Sequence, residues 1–286
     1  MNKDNFLGLD GDFADFEKSK FVVLPISYDK TASFIKGTAQ APKRIIEVSE
    51  QLELFDEQLA KEFYHSGIHT HKVIGSNSMA PEELFDDVYQ TAKKLSAQDK
   101  IILGLGGEHS VSIGLIKCAN ENHKNMSVLQ IDAHADLRDE YEGSKLSHAC
   151  VMKRVFDMGI PSIGVGIRSF DKAQYEFMRQ NNLDIYTPWR ISASPNWIDE
   201  IVSKLSDSVY ITLDIDGLDC SVVPGTGTPE PGGLSYQQVV DLIIRIGKNK
   251  TIIGADIVEV IPGITGTVSE FTAARLAYKL IAAMQL

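Results

Sequence analysis

The stretch LQIDAHAD (residues 129–136) places Asp132, His134 and Asp136 at alternate positions at the end of an apolar run, residues 126–131. Short apolar runs of this kind are typical of buried strands. Side chains two residues apart on a strand point to the same face, so these three polar groups can converge on one point. The stretch therefore predicts a buried strand that ends in a functional site.

Two further stretches have the same form. LGLGGEHS (residues 103–110) presents His109 behind a Gly-Gly turn, and VYITLDIDGLD (residues 209–219) runs alternating apolar residues into Asp214 and Asp216. In open parallel sheets, sites form in the crevice beyond the carboxyl ends of the strands. We therefore predict that two histidines and four carboxylates meet at one edge of a sheet.

Such a cluster needs positive charge to hold it together. Four crowded carboxylates repel one another and raise one another's pKa values unless cations intervene. Two divalent ions would neutralise the four charges, and the short Asp side chain can bridge ions about 3.5–4 Å apart. Oxygen-rich ligation with a few imidazoles favours manganese over zinc. A single Asp or His at a strand end is usually a solvated loop residue, but the repetition behind three apolar runs predicts a site for two Mn²⁺ ions.

The composition limits the classes of partner. The chain has 286 residues, 43% of them hydrophobic, and a net charge of −11 that argues against nucleic acid and acidic membrane surfaces and suits a cationic substrate. The sequence has no apolar run of 18 or more residues and no signal-peptide pattern. Its three widely spaced cysteines, Cys118, Cys150 and Cys220, fit a reduced cytoplasmic protein, and the neighbours of Cys220 suggest packing rather than metal ligation.

Strand-like and helix-like segments alternate along the chain. The predicted strands are residues 20–26, 101–105, 126–131, 161–168, 183–188, 209–213 and 252–260. The predicted helices are residues 41–61, 81–95, 110–119 (capped by Ser110), 147–158, 170–181, 197–205, 235–246 and 268–284. Continuous apolar strands alternating with helices predict a parallel sheet covered on both faces. With no linker or repeat in the sequence, we predict a single domain over residues 1–286.

Several motifs resemble the signatures of the ureohydrolases, the arginase and agmatinase family. They are GGEHS (106–110), DAHAD (132–136) followed by LRDEYEG, SHAC (147–150), LDIDGLD (213–219), PGTGTPEPGG (224–233) and DIVEV (256–260). The resemblance covers nearly the whole chain. It implies a three-layer α/β/α sandwich with a parallel sheet of about eight strands, a dimanganese centre, and hydrolysis of a guanidinium group to urea and an amine. It also implies a homo-oligomer, commonly a trimer or a hexamer.

The resemblance assigns ligands to each metal ion by motif. One ion would take His109, Asp132, Asp136 and Asp214, and the other would take His134, Asp132, Asp214 and Asp216, so that Asp132 and Asp214 bridge. A water shared by the two ions would be the nucleophile. Glu108 stands where many family members have Asp, and we expect it to tune the orientation of His109.

Three residues are expected to take part in the reaction. Asp136 is the candidate for passing a proton to the leaving amine. His148 matches the proton-shuttling histidine of the family, although a helix-face histidine with a structural hydrogen bond would fit the same position. Glu259 matches the carboxylate that holds the guanidinium, because a carboxylate can accept two parallel hydrogen bonds from that planar group.

The segment LRDEYEG (residues 137–143) carries Asp139, Glu140 and Glu142 against the single Arg138. This acidic balance would repel an α-carboxylate and suit a terminal ammonium, and the segment looks like that of agmatinases. We therefore expect Asp139 and Glu140 to bind substrate, and agmatine to be hydrolysed to putrescine and urea. Arginine, guanidinobutyrate and aminopropylagmatine remain alternative substrates.

Other kinds of protein also remain open. A bimetallic phosphoesterase would need cationic groups to hold phosphate, and only Arg138 lies near the predicted metals. A catalytically silent binding protein would be expected to lack a ligand, whereas all six are present. The grouped histidines His65, His69 and His71 are expected to lie in a surface loop rather than in a metal site.

Overall fold

The computed structural model describes residues 4–286. Eight parallel strands form one sheet in the order β4-β1-β5-β10-β9-β6-β7-β8. Their bounds are β1 Phe21–Pro25, β4 Ile68–Thr70, β5 Ile101–Leu105, β6 Ser127–Ile131, β7 Ser162–Val165, β8 Asp184–Tyr186, β9 Ser208–Asp214 and β10 Thr251–Val258, and β2 Phe55–Asp56 pairs antiparallel with β3 Lys61–Glu62 outside the sheet. The seven predicted strands are confirmed, and the three-residue edge strand β4 is an addition to the prediction.

Helices cover both faces of the sheet. They are α1 Ala41–Ser49, α2 Pro81–Ser96, α3 Ser112–Asn122, α4 Val151–Asp157, α5 Lys172–Gln180, α6 Pro188–Ala193, α7 Trp197–Lys204, α8 Tyr236–Gly247 and α9 Val268–Ala283. Buried side chains of α1, α6, α7, α8 and α9 belong to one apolar core, and those of α2, α3, α4 and α5 belong to a second core on the other face. The predicted three-layer arrangement is therefore confirmed. Within residues 4–286, no helix is both long enough and apolar enough to cross a membrane.

Two helix predictions were wrong. The helix expected over residues 41–61 ends at Ser49, whose buried hydroxyl donates to the Ile46 carbonyl and accepts from the Leu7 amide, and the hairpin of β2 and β3 follows. The expected cap of α3 is also absent, because α3 begins at Ser112 after a short 3-10 turn. The Ser110 hydroxyl donates instead to the Glu108 carboxylate at 2.7 Å.

The order of the strands brings the predicted ligands together. Strands β5, β10, β9 and β6 are neighbours in the sheet, and the polar stretches follow directly after each of them. The turn after β5 passes so close to the chain after β1 that a Cβ on Gly107 would lie 2.0 Å from the Tyr28 carbonyl oxygen. Only glycine fits at that position, and this close approach fixes the position of the turn that leads to His109.

Candidate metal centre

Three carboxylates surround one ring nitrogen of the buried His109. Its Nδ1 lies 3.2 Å from Oδ2 of Asp132, 3.0 Å from Oδ2 of Asp136 and 3.5 Å from Oδ2 of Asp214. This nitrogen is buried and has no hydrogen-bond partner among the described residues. The ligand atoms of His109, Asp132 and Asp214 all lie within 4.8 Å of one another, as expected of side chains that share one cation.

A second group forms around His134. Its Nδ1 lies 3.0 Å from Oδ2 of Asp216 and 3.7 Å from Oδ1 of Asp132. The ligand atoms of Asp132, His134 and Asp216 again lie within 4.8 Å of one another. Asp132 belongs to both groups and presents a different oxygen to each histidine. The structure therefore brings all six predicted ligands into one cluster with two centres.

Backbone and side-chain hydrogen bonds orient these carboxylates. The backbone amide of His134 donates to Oδ1 of Asp132 at 2.6 Å, and the side-chain Nε2 of Gln130 donates to Oδ2 of the same residue at 2.8 Å. Oδ1 of Asp216 accepts the Ala133 amide at 3.0 Å. These hydrogen bonds hold the carboxylates of Asp132 and Asp216 in orientations that face the two histidines.

Burial and neighbouring charges shift the pKa values of these residues. Burial lowers the pKa of His134, but hydrogen bonds with Asp132 and Asp216 raise it overall, to about 12. Burial raises the pKa of Asp214 well above its usual range, and the neighbouring charges of Asp216 and Asp132 add to the shift. Burying several carboxylates next to one another disfavours their charged forms, and a bound cation would offset this penalty. The donor set fits divalent metal ions, for which oxygen and imidazole ligands are suitable.

Glu259 lies beside the cluster, directly after β10. Its amide donates to the Gly107 carbonyl at 2.7 Å, and its Oε1 accepts the His109 amide at 2.7 Å. Its φ of 64° is in the left-handed region, which non-glycine residues seldom adopt. Asp136 is held in the same region, with a φ of 51°. Strained residues of this kind cluster at functional sites, where the surrounding structure holds them in place.

A cavity of about 360 Å³ opens from the cluster to the surface. Asp136, Asp214, His134 and Glu259 line its floor. The sequence-predicted His148 lines its wall, with Nδ1 at 3.8 Å from Oε1 of Glu259. Burial lowers the pKa of His148 to about 4, with the nearby charges of the other two histidines acting in the same direction, so its imidazole is neutral near pH 7.

The cavity mouth differs from the prediction. Arg138 and Asp171 line it and form an ion pair at 2.9 Å, together with the aromatic side chains of Tyr141 and Phe170. Asp139 points elsewhere: it is exposed and pairs with Arg154 at 2.8 Å and with Lys145 at 3.3 Å.

Glu140 is exposed and is likewise absent from the cavity lining. The structure thus places neither Asp139 nor Glu140 where a substrate in this cavity would touch them. It places Asp171 there instead, the N-cap residue of α5, whose side chain accepts a hydrogen bond from the Gln174 amide at 2.8 Å. An aspartate directly before a helix is commonly an N-cap, so nothing in the local sequence marks Asp171 as part of a binding site.

Further residues missed by the sequence analysis support the site. The Arg168 guanidinium donates to the carbonyls of Asp216 at 2.8 Å and Glu230 at 2.7 Å, and so ties the turn that carries the candidate ligand Asp216 to the proline-rich loop that forms the cavity wall. Glu108 accepts hydrogen bonds from Thr31 and Ser110, which links the loop after β1 to the turn that carries His109.

The three grouped histidines form no cluster. His65 pairs with Glu62, while the rings of His69 and His71 contact the carbonyls of Ala14 and Lys72. The prediction of a surface loop was wrong for His69, which is the central residue of the three-residue strand β4.

Comparison with known proteins gives consistent matches over nearly the whole chain. A family model described as the Arginase family matches residues 19–283. The N(1)-aminopropylagmatine ureohydrolase of Thermus thermophilus is 38% identical over 94% of this chain and 91% of its own length. The agmatinase of Bacillus cereus is 35% identical over 86% of this chain and 85% of its own length. The crystal structure of the agmatine ureohydrolase of Thermoplasma volcanium superposes with a TM-score of 0.87 at 30% identity, covering 96% of this chain and 93% of that one.

Proposed function

The chain belongs to the arginase family, and we propose that its reaction is the hydrolysis of agmatine to putrescine and urea. As a ureohydrolase of this family it is a metal-dependent hydrolase that acts on the C–N bond of a linear amidine. The more specific proposal has three parts, which are the metal ions, the residues that handle the guanidinium, and the residues that select the far end of the substrate.

The metal part of the proposal rests on the unpartnered Nδ1 of His109 and its three surrounding carboxylates. His109, Asp132, Asp136 and Asp214 would hold one divalent ion, and His134, Asp132, Asp214 and Asp216 would hold the other. We propose Mn²⁺ for both, because the donors are mainly carboxylate oxygens with one imidazole per ion. When bound, the ions would activate a water molecule for attack on the guanidinium carbon.

The protein groups around the cavity would handle the guanidinium and its protons. The buried Glu259 carboxylate can accept two parallel hydrogen bonds from the planar guanidinium and so fix its orientation. Asp136 lines the same cavity and can deliver a proton to the departing amine nitrogen. His148 is neutral near pH 7, so it can accept a proton and pass it on at the cavity wall.

The ion pair between Arg138 and Asp171 at the cavity mouth would determine which substrate is preferred. Arg138, the one arginine in the cavity lining, is already held by Asp171 at 2.9 Å. A substrate that ends in a carboxylate, such as arginine or guanidinobutyrate, would bring a second negative charge beside Asp171, and the Arg138 that could offset it is already paired. An ammonium group can bind the Asp171 carboxylate while the ion pair with Arg138 is kept. The mouth therefore favours a guanidino compound with an amine at its far end.

N(1)-aminopropylagmatine is the second candidate, because relatives with 35% and 38% identity carry the name of its ureohydrolase. It shares the guanidinium and the cationic far end with agmatine and adds one more amine. Both compounds satisfy the charge argument at Asp171, so the two proposals differ only in the length of the chain that the mouth accepts.

Urea release by manganese-loaded protein tests the proposal. We expect agmatine to give the highest kcat/KM, with arginine and guanidinobutyrate far lower. Asp171→Asn is expected to lower kcat/KM for agmatine, whereas Asp139→Asn, a matched change of an exposed aspartate outside the cavity, should not. A higher kcat/KM for aminopropylagmatine would favour the second candidate, and efficient urea release from arginine would contradict the charge argument. The predicted homo-oligomer can be checked in the same preparation by sedimentation velocity.

A further inference from the structure

A chain of buried hydrogen bonds leads from His109 away from the cavity. While Nδ1 of His109 faces the carboxylates, Nε2 lies 2.8 Å from Oγ1 of Thr212. The Thr212 hydroxyl lies 2.7 Å from Oδ1 of Asp256, and the Tyr210 hydroxyl donates to Oδ2 of Asp256 at 2.8 Å. Asp256 is fully buried and lies outside both metal-ligand groups. Asp256 takes no part in the proposed reaction.

The sheet builds this chain from three adjacent strands. Tyr210 and Thr212 alternate on β9 and so share one face, and Asp256 on β10 is the register partner of Thr212. On the other side of Asp256, its register partner on β5 is Gly104. A Cβ on Gly104 would lie 3.0 Å from Cβ of Asp256 and 2.7 Å from a methyl of Leu115. The absence of a side chain at position 104 thus leaves the room that the buried carboxylate occupies.

The order of donors and acceptors along this chain is set by Asp256. A carboxylate only accepts hydrogen bonds, so it takes the single proton of the Thr212 hydroxyl. The alternative acceptor for that proton, the Ser112 hydroxyl, is 3.4 Å away. The Thr212 oxygen is then left to accept a hydrogen bond, and the nearest donor is Nε2–H of His109 at 2.8 Å. The ring therefore keeps a proton on Nε2 and presents the lone pair of Nδ1 to the carboxylate cluster.

We propose that Asp256, acting through Thr212, is a positioning residue that keeps His109 in the tautomer required to bind a metal ion. This inference rests on the proposed metal centre and extends it beyond the ligands themselves. A histidine that binds a metal usually donates its other N–H to a partner that fixes the orientation of the ring. Here that partner is a hydroxyl whose direction is determined by a carboxylate two hydrogen bonds from the metal centre.

Two substitutions test the order of donors and acceptors in the hydrogen bonds from His109 to Asp256. Thr212→Val keeps the shape of the side chain and removes the hydroxyl, so Nε2 loses its partner. Asp256→Asn keeps the shape and reverses one hydrogen bond: the amide oxygen can still accept from Tyr210, so its NH₂ group faces Thr212. The Thr212 hydroxyl would then donate to Nε2, and the proton of the ring would move to Nδ1, where the metal must bind.

The measurement is Mn²⁺ binding by isothermal titration calorimetry, together with electron paramagnetic resonance of the bound manganese. Both variants are expected to weaken one of the two Mn²⁺ sites by about 10- to 100-fold, the usual effect of losing such a partner. The other site, centred on His134, should be retained. At subsaturating Mn²⁺ the spectrum should therefore change from that of a coupled pair to that of isolated ions.

Two control variants separate positioning from a general structural role. Thr212→Ser keeps the hydroxyl and is expected to restore binding of both ions. Ser127→Ala removes a buried hydroxyl at the start of β6 that accepts the Ser206 amide at 3.0 Å and lies outside this hydrogen-bond chain, so it should leave Mn²⁺ binding unchanged. If Thr212→Val binds both ions as tightly as the unsubstituted protein, or if both sites weaken equally, the proposal is wrong. If the unsubstituted protein itself fails to bind two Mn²⁺ ions, the proposed metal centre fails instead. The Thr212→Val and Thr212→Ser pair decides the question if Asp256→Asn does not fold.

Discussion

Replacing Lys279 by Met should strongly destabilise the fold at a point far from the metal centre. Lys279 lies in α9, and its Nζ is 2.8 Å from Oδ2 of Asp56, the last residue of β2. The two side chains are only 1% and 2% exposed. Substitution with Met keeps the length of the side chain but leaves the Asp56 carboxylate buried without its cation.

The size of the effect follows from what remains around Asp56. Breaking one side of a buried ion pair costs about 3–5 kcal/mol. Nζ of Lys279 contacts both oxygens of Asp56, Oδ2 at 2.8 Å and Oδ1 at 3.0 Å. After the substitution Oδ1 keeps hydrogen bonds from the amides of Gln58 at 3.1 Å and Leu59 at 2.9 Å, whereas Oδ2 has lost its cation. Because half of the carboxylate remains satisfied, we expect a loss near the lower bound, about 3 kcal/mol in the free energy of unfolding.

Urea unfolding at one protein concentration and one Mn²⁺ concentration measures this loss. The control is Lys204→Met, which removes the surface ion pair with Asp184, where both side chains are more than one-third exposed, and should cost about 1 kcal/mol or less. Adding Asp56→Asn to Lys279→Met removes the uncompensated charge and should recover part of the stability. A loss for Lys279→Met no larger than for the surface control would refute the reasoning.

Three further predictions concern the site. Glu259→Gln removes the negative charge that would hold the guanidinium and should lower kcat/KM for agmatine by about 30-fold or more, which corresponds to losing a buried charge pair worth about 2 kcal/mol; steady-state urea release measures it, and an unchanged kcat/KM would contradict the assignment. Mn²⁺ should bind more tightly at pH 8 than at pH 6, because the metal must displace protons from groups such as His134, whose metal-free pKa is about 12; calorimetry at the two pH values checks this, and the opposite trend would rule it out. Asp139→Asn should leave kcat/KM for agmatine unchanged, since Asp139 is exposed and pairs with Arg154 away from the cavity; a loss of about tenfold, or 1.4 kcal/mol, would bring Asp139 back into the site.

The hairpin after α1 shows where local sequence patterns mislead. Ile45, Val48, Leu52 and Leu59 recur at helical spacings of three, four and seven residues, and this pattern extended the predicted helix to residue 61. The structure ends the helix early because residues far along the chain hold the segment extended. The Tyr278 hydroxyl donates to the Leu54 carbonyl at 2.6 Å, and Lys279 binds the adjacent hairpin. Contacts between residues more than 200 positions apart cannot be deduced from local spacing.

The candidate metal ligands were predictable because they lie at the carboxyl ends of three strands, β5, β6 and β9. In a parallel sheet the carboxyl ends of adjacent strands meet, so the position in the strand was enough to bring His109, Asp132 and Asp214 together. Asp171 could not be found this way, since it reaches the cavity only through the path of the chain between β7 and α5. The hydrogen-bond chain through Asp256 was equally hidden, because it depends on the register between β9 and β10.

The most direct test of the account is the number of Mn²⁺ ions bound per chain, measured by elemental analysis after equilibrium dialysis. We expect two ions for the unsubstituted protein, one for His109→Ala, and none or one weakly bound ion for Asp132→Ala, because Asp132 is the side chain shared by both groups of ligands. Circular dichroism of each variant should confirm that the fold is kept. Two tightly bound ions in the Asp132→Ala variant, or a single ion in the unsubstituted protein, would contradict the proposed centre.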